Sequence, residues 1–289
     1  MKQKKSKNRQ KLFIGFVFLL GLGIFLFPNL SNLYSQYSHA MIILSYQKNQ
    51  EETDDQLKEL ELERFQAYNE SLSDAGKDYV DPFAENEAEP INRSPEVDER
   101  LGDPLGHIEV PKIGIDIPIY DGTTDYILQR GIGLLGNSSM PVGGVGTHAA
   151  LTGHRGLPNA ELFSNIVDLV EGDLFYIHSA GGILAYQVQT IKTVLPHETE
   201  SLKIQAGKDL VTLITCTPYM VNSHRLLITG IRIPYVAPPQ ESPLTTQKIM
   251  KKVAENHSYL GVYLASIFVL VSMVFFYIHR RKKRGEGHE

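Results

Sequence analysis

Three short segments hold side chains whose types could carry out acyl transfer. Leu151-Thr152-Gly153-His154-Arg155-Gly156 reads as a strand end running into a glycine turn. Thr212-Leu213-Ile214-Thr215-Cys216-Thr217-Pro218-Tyr219 is an apolar strand that ends at a cysteine, and its proline stops any continuation. Asn222-Ser223-His224-Arg225-Leu226-Leu227-Ile228 opens the next apolar strand with an arginine. A thiolate is the nucleophilic form of cysteine, and a nearby cation favours it. An imidazole titrates near neutral pH and can hand a proton to a leaving amine. A guanidinium stays charged and can hydrogen-bond a developing oxyanion. Cys216, His154 and Arg225 together therefore suit chemistry through a thioester.

Other residues compete for these roles. A lone thiol is more often a buried, inert side chain than a nucleophile. This chain has one cysteine in 289 residues, so no intrachain disulfide is possible. His148 lies six residues before His154 in the same strand region and reads as a structural histidine. His224 adjoins Arg225 and should point to the opposite face if the strand begins there. Arg155, on a glycine turn, is expected to be solvated, which leaves Arg225 as the preferred cation. A zinc site from His148, His154 and Cys216 would match no standard ligand spacing.

The elements that must position these groups are mostly short strands. Candidates are Ile108–Val110, Ile113–Tyr120, Thr147–Leu151, Asp173–His178, Ala185–Val194, Asp209–Thr215 and Leu226–Ile233. They are rich in Val, Ile, Leu, Thr and Tyr and are mostly bounded by Gly or Pro. Asn159–Val170 carries Leu162, Phe163, Ile166, Leu169 and Val170 at helical spacing and predicts the one helix of this region. Many short strands with little helix point to a closed β-barrel.

The formal net charge is -5, but its distribution is uneven. Six basic residues between Lys2 and Lys11 precede the apolar run 12–30, and Arg280–Arg284 follow a second apolar run, 260–279. Each run is about long enough to span a bilayer, for which roughly 17–25 residues are needed. Basic clusters beside them favour the cytoplasm over nucleic acid as their surroundings. The expected topology is two membrane passes with both termini inside and the middle of the chain outside. No small-residue cleavage site directly follows the first run, so an uncleaved anchor is preferred to a signal peptide. Between the runs, residues 50–70 predict an amphipathic helix through Leu57, Leu60, Leu62 and Phe65. Residues 71–103 are polar and aperiodic, a length of loop that usually has a function.

These motifs, in this order, resemble the sortases, and among them the class C, pilus-assembling members. Thr212–Cys216 is similar to the family's cysteine signature, Cys216 to Arg225 to its cysteine–arginine connection, and Leu151–Gly156 to its histidine motif. Ile108–Tyr120 resembles its opening strands. Asp81-Pro82-Phe83 matches the lid tripeptide of class C. Two departures, the lack of a histidine in Gly131–Leu134 and Met220 where a glycine is common, do not fall on catalytic positions of the family.

The resemblance implies a mainly β fold: an eight-stranded sortase-type β-barrel with short helices, an N-terminal helix and lid, flanked by two transmembrane helices. The divisions expected are a basic tail (1–11), a signal anchor (12–30), a helical region and lid (31–103), the catalytic barrel (104–235), a tether (236–259), a second membrane helix (260–279) and a basic tail (280–289). It further implies a cysteine transpeptidase that cleaves LPxTG-like sorting signals in pilin or surface proteins, with a pilin lysine resolving the thioester. No metal or organic cofactor is implied, and the partners are those proteins and the lipid bilayer. A housekeeping enzyme that joins surface proteins to cell-wall precursor is the alternative within the family. A non-catalytic membrane-tethered scaffold is the alternative outside it.

Overall fold

A computed structural model describes residues 2–72, 79–81, 83 and 102–237. The second apolar run, the basic tail after it, nearly all of the tether, Pro82 and most of the aperiodic segment lie outside the described residues.

Two helices open the chain, α1 (Lys2–Glu52) and α2 (Asp55–Ser71). They are separated at Thr53–Asp54, where the Asp54 carboxylate accepts from the Gln56 N–H and caps α2. Strands follow as β1 (Gly106–Val110) and β2 (Ile115–Asp121), then the short helix α3 (Asp125–Leu128). Next come β3 (Ile132–Leu134), β4 (Thr147–Thr152), β5 (Leu174–Ser179), β6 (Gly182–Val194), β7 (Asp209–Thr217) and β8 (His224–Ile233). The eight strands close in the order β1-β2-β3-β4-β7-β8-β6-β5, with β5 pairing back onto β1. Closure leaves no free sheet edge.

Alternation along each strand sends one set of side chains into the barrel. Ile108, Ile117, Leu151, Phe175, Ile177, Leu213 and Ile228 form its interior and are fully or nearly fully buried. A second, smaller cluster of Leu135, Ala150, Leu202, Ile214 and Leu227 lies apart from the first, with Tyr79 and Val194 packed against it. Since Leu213 and Ile214 are adjacent yet belong to different clusters, β7 is buried on both faces. Its outer face is covered by the β6–β7 connection, through Leu202, and by Tyr79 from the segment after α2.

His148 ties that cover down. Its Nδ1 is 3.0 Å from the Lys203 carbonyl, which can only accept, so Nδ1 carries the proton. Nε2 then accepts from the Thr212 hydroxyl at 2.7 Å, and Thr212 accepts in turn from Thr229 at 2.8 Å. The network crosses β8, β7 and β4 to reach the β6–β7 connection. It explains why a fully buried histidine is tolerated, and it gives His148 the structural place expected of it.

The prediction for Asn159–Val170 needs correction. Only Ile166–Asp168 forms a helical turn, of the 3-10 type. Leu162 has φ of 36°, and the Phe163 N–H bonds to the His154 carbonyl rather than to a residue one turn back. Leu162, Phe163, Ile166 and Leu169 are buried all the same. Helical spacing arose here from an irregular loop that plugs the barrel with four side chains.

The stripe on α2 is also only half right. Leu57 and Leu60 are exposed, while Phe65, Asn69 and Leu72 face the barrel. Asn69 makes a two-way clamp, donating to the Met140 carbonyl at 3.2 Å and accepting from the Met140 N–H at 2.7 Å. The three-residue β3 lacked a legible strand pattern because it is short and holds Gly133.

Helix α1 is continuous through Pro28. Among the described residues it is the one helix long and apolar enough to cross a membrane. Its side chains from Phe13 to Leu30 are largely exposed, and burial begins at Ser31. From there it touches the barrel in sequence. Asn32 Oδ1 accepts from the Glu161 N–H at 3.2 Å, His39 Nε2 donates to the Arg130 carbonyl at 2.8 Å, and Tyr46 donates to the Leu105 carbonyl at 3.4 Å.

Candidate active site

Strand register brings the predicted residues together. β4 and β7 are parallel, with Thr147 opposite Asp209 and Thr152 opposite Ile214. The pairing continues past the strand end, as the Gly153 N–H bonds to the Ile214 carbonyl at 3.0 Å. The Thr215 hydroxyl then donates to the Gly153 carbonyl at 2.7 Å. His154 and Cys216 each follow the Thr152–Ile214 pair by two residues, so the register sets them at the same level of adjoining strands. β7 and β8 are antiparallel, and Cys216 lies directly opposite Arg225. Cys216 shares the outer face with Ile214, two residues before it. The three side chains thus stand where the outer groove meets the end of the barrel.

The Arg225 guanidinium is held on both sides. Its Nη1 donates to the carbonyls of Asn222 and His224, both at 2.9 Å. Its Nε and Nη2 form a two-pronged pair with the Asp81 carboxylate at 2.8 and 2.5 Å. The backbone contacts fix the group independently of Asp81, so removing the carboxylate would leave one edge of the fork pointing into the groove. Burial acts against the Arg225 charge, but the hydrogen bond and charge of Asp81, together with Cys216, outweigh it and hold the group more firmly protonated.

Burial also pushes the Cys216 thiol up to about 11; the Arg225 charge opposes that shift and the Asp81 charge adds to it. The thiolate is then about one molecule in 10⁴ at pH 7. His154 is pushed down by burial, against a smaller upward pull from Asp125. With Asp81 in place, the Cys216 thiol and the His154 imidazole are both neutral at neutral pH.

The segment itself fills the groove. Tyr79, Val80 and Asp81 line a cleft with Leu135, Ile214 and Leu227 on one side and the β6–β7 connection on the other. The Phe83 ring lies 5.1 Å from that of His154 and 5.2 Å from the Arg225 guanidinium carbon. Asp81 and Phe83 therefore meet two of the three predicted residues. Pro82, between them, is outside the described residues.

The competing residues fall elsewhere. Arg155, expected to be solvated, is instead half-buried: it donates to the Thr217 hydroxyl at 3.3 Å and sits over the Tyr219 ring. His224 accompanies Ser223 at 2.8 Å and pairs with Thr217, one position beyond Cys216. Among the described residues, no group of three or more His, Cys, Asp or Glu side chains is arranged to hold a metal ion.

Sequence reading missed Asp125, which acts on His154 through its charge. The signal was present in the Thr124-Asp125 start of α3, where the Thr124 hydroxyl caps the helix. Tyr79 was missed as well, because an isolated aromatic before an acid in an aperiodic stretch has no pattern to mark it.

A closed eight-stranded barrel with a cysteine, a histidine and an arginine at adjoining strand ends is a recognisable architecture, and comparison with known proteins specifies it. The sortase-domain family matches residues 108–233. A solved sortase C of Streptococcus pneumoniae is 43% identical, with a TM-score of 0.61, covering 69% of this chain and all of that one. Its structure is described in terms of catalysis and pilin substrate specificity. Sortase C1 of Streptococcus agalactiae is 46% identical, with a TM-score of 0.60, covering 68% of this chain and 96% of that one. Sortase A of Bacillus anthracis is 31% identical over 126 residues, 44% of this chain and 58% of that protein. The chain thus spans little more than half the length of that relative. The chain belongs to the sortase family.

Proposed function

We propose that this chain is a membrane-anchored cysteine transpeptidase that joins pilin subunits. The observation that carries the reading is the pairing of Cys216 with Arg225 across β7 and β8, level with His154, beneath Asp81. The solved neighbours support the pilin assignment because they are sortase C structures at 43–46% identity. The Asp81–Arg225 pair supports it further, since the lid tripeptide is part of the resemblance to class C.

The substrate is a sorting signal of the LPxTG kind. Departure of Asp81 removes a negative charge beside the thiol and leaves Arg225 in place, which favours the thiolate. His154 takes the thiol proton. Cys216 Sγ attacks the threonine carbonyl carbon, and the freed edge of Arg225 hydrogen-bonds the oxyanion. Collapse breaks the Thr–Gly bond, His154 returns its proton to the departing amine, and a thioester remains. A neutral lysine amine of the next pilin then attacks the thioester. The amine passes its proton to His154, Sγ leaves as thiolate and takes that proton back, and an isopeptide bond forms.

Asp81, Pro82 and Phe83 act in this reading as a lid that holds the groove closed at rest. The barrel stands outside the membrane, the runs 12–30 and 260–279 cross it, and both termini are cytoplasmic. Reporter fusions at each end should read as cytoplasmic; an amino terminus found near Met41 would mean that the first run is cleaved.

The deciding experiment incubates the enzyme with a pilin bearing both a sorting signal and a reactive lysine. Covalent ladders that require Cys216, with a trapped Cys216–pilin thioester, are expected. A thioester released only by cell-wall precursor would favour the housekeeping activity, and no acylation of Cys216 would favour a scaffold.

A further inference from the structure

The β7–β8 connection carries three exposed apolar side chains in a row. Tyr219, Met220 and Val221 are 55%, 74% and 68% exposed. A tight turn presents them, with the N–H groups of Val221 and Asn222 both bonding to the Pro218 carbonyl. Met220 has φ of 64°, in the left-handed region that favours glycine and strains other residues. Neither local conformation nor packing among the described residues accounts for a methionine there. Its side chain is suited to a partner outside the chain.

The path of α1 indicates which partner. Exposed apolar side chains run to Leu30, and the next turn of the helix meets the barrel. Its first polar contact is Asn32 with Glu161. Asn32 lies about 3 Å along the helix axis beyond Leu30, within the headgroup layer of roughly 5–7 Å on each side of a bilayer. Glu161 belongs to the loop that leaves His154, since the Phe163 N–H bonds to the His154 carbonyl. The same loop supports the tip. Gly156 lies so close to the Tyr219 ring that a Cβ there would fall 2.7 Å from it, and Arg155 sits over the ring. One loop thus touches both the membrane-proximal turn of α1 and the apolar tip.

We propose that Tyr219, Met220 and Val221 rest in the headgroup layer of the bilayer that α1 crosses, so that the mouth of the active-site groove opens at the membrane surface. An aromatic ring with a polar tip, a flexible thioether and a branched aliphatic side chain suit that layer. Arg155, beside the ring, complements anionic headgroups. The proposal rests on the reading of run 12–30 as a membrane anchor.

The test uses the full chain with Cys216→Ala, which removes the sole thiol, reconstituted into phosphatidylglycerol–phosphatidylcholine vesicles. Single cysteines at Leu19, Val221 or Val145 carry an environment-sensitive fluorophore, and lipids brominated either near the headgroup end or near the methyl end of their chains act as quenchers, the latter for the mid-span position 19. Val145 is the comparison because it is 82% exposed on a turn tied to Lys208 and Asp209, at the far end of β7. The β7 strand places that turn about 26 Å from the tip end. Quenching at Leu19 and Val221 with none at Val145 is expected, and adding Met220→Asp should abolish the quenching at Val221. Quenching at Leu19 alone overturns the proposal while sparing the anchor. Equal quenching at Val221 and Val145 also overturns it, because the barrel would then lie on its side. No quenching at Leu19 removes the anchor, and the proposal with it.

Discussion

The floor of the groove and its cover are held by different kinds of interaction. Beneath Cys216, the floor is three strands in continuous register, with Thr215 bonded to Gly153 and the His148 network running across it. Over it, the described residues of segment 79–83 make an ion pair, ring contacts from Phe83 to His154 and Arg225, and an apolar contact through Tyr79. Many short-range backbone bonds make the floor a rigid platform that a single side chain cannot rearrange. Among the described residues the cover is held through side chains, which is what the proposed exchange for a substrate requires. A buried Arg–Asp pair is also costly to break from one side only, which gives the closed state its hold.

Changes to the platform's own reactive groups should have the largest effect. Cys216→Ala should abolish acyl transfer while leaving the circular dichroism of the barrel unchanged; turnover near the wild-type rate would remove the thiol from the mechanism. His154→Ala and Arg225→Ala should each lower kcat/KM by at least ~10²-fold. Arg225→Lys should be nearly as poor, because an ammonium cannot reproduce the planar fork. If Arg155→Ala were crippling and Arg225→Ala harmless, the cation would be misassigned.

Loosening the cover should act in the opposite direction. Asp81→Ala with Phe83→Ala should speed alkylation of Cys216 on the order of tenfold, through a larger open fraction and a lower thiol pKa. Peptide hydrolysis should rise more than pilin joining, since an open groove also admits water. Equal alkylation rates in wild type and double variant would show that the cover does not gate the thiol.

A substitution in the support of the floor should sit between these. His148→Ala leaves the Lys203 carbonyl short of a donor and the Thr212 hydroxyl short of an acceptor, a loss of about 1–3 kcal/mol in stability. Because the network holds the β6–β7 wall of the groove, KM for a sorting peptide should rise more than kcat falls. A variant with wild-type melting and KM would mean that the wall is held by other contacts.

The smallest effect is on pH. His148 and His154 are both pushed down, each chiefly by burial. The unfolded chain therefore takes up protons first, near the ordinary histidine value of about 6.5. Stability should be full above that pH and fall as pH drops through it. His148→Gln should flatten part of the slope in thermal melts between about pH 7 and 5; an unchanged slope would assign it to other groups.

Much of this architecture was legible from local chemistry. Cys216 ends an apolar strand before a proline, Arg225 opens the next, and His154 ends another before a glycine turn. Those positions are properties of the sequence, since strand alternation and turn residues act over a few residues at a time. The tripeptide Asp81-Pro82-Phe83 was legible only through its resemblance to the class C lid, and the pairing of its acid with Arg225 came from the structure. Asn159–Val170 was misread because its apolar spacing serves to plug a barrel rather than to form a helix. Leu57 and Leu60 were misread because periodicity marks a stripe without telling which part of it finds a partner.

By itself, the sequence determined which side chains have types suited to the chemistry, where seven of the eight strands lie, and that an apolar run precedes the barrel. Only the tertiary structure decided that β4 runs parallel to β7 at a register that levels His154 with Cys216. It alone decided that His148 acts by pinning the β6–β7 connection, and that α1 meets the barrel at the loop leaving the active site. The reason is physical: propensity, capping and alternation act between near neighbours along the chain. Register and docking depend on contacts between residues tens of positions apart, whose energies exist only once the barrel has closed.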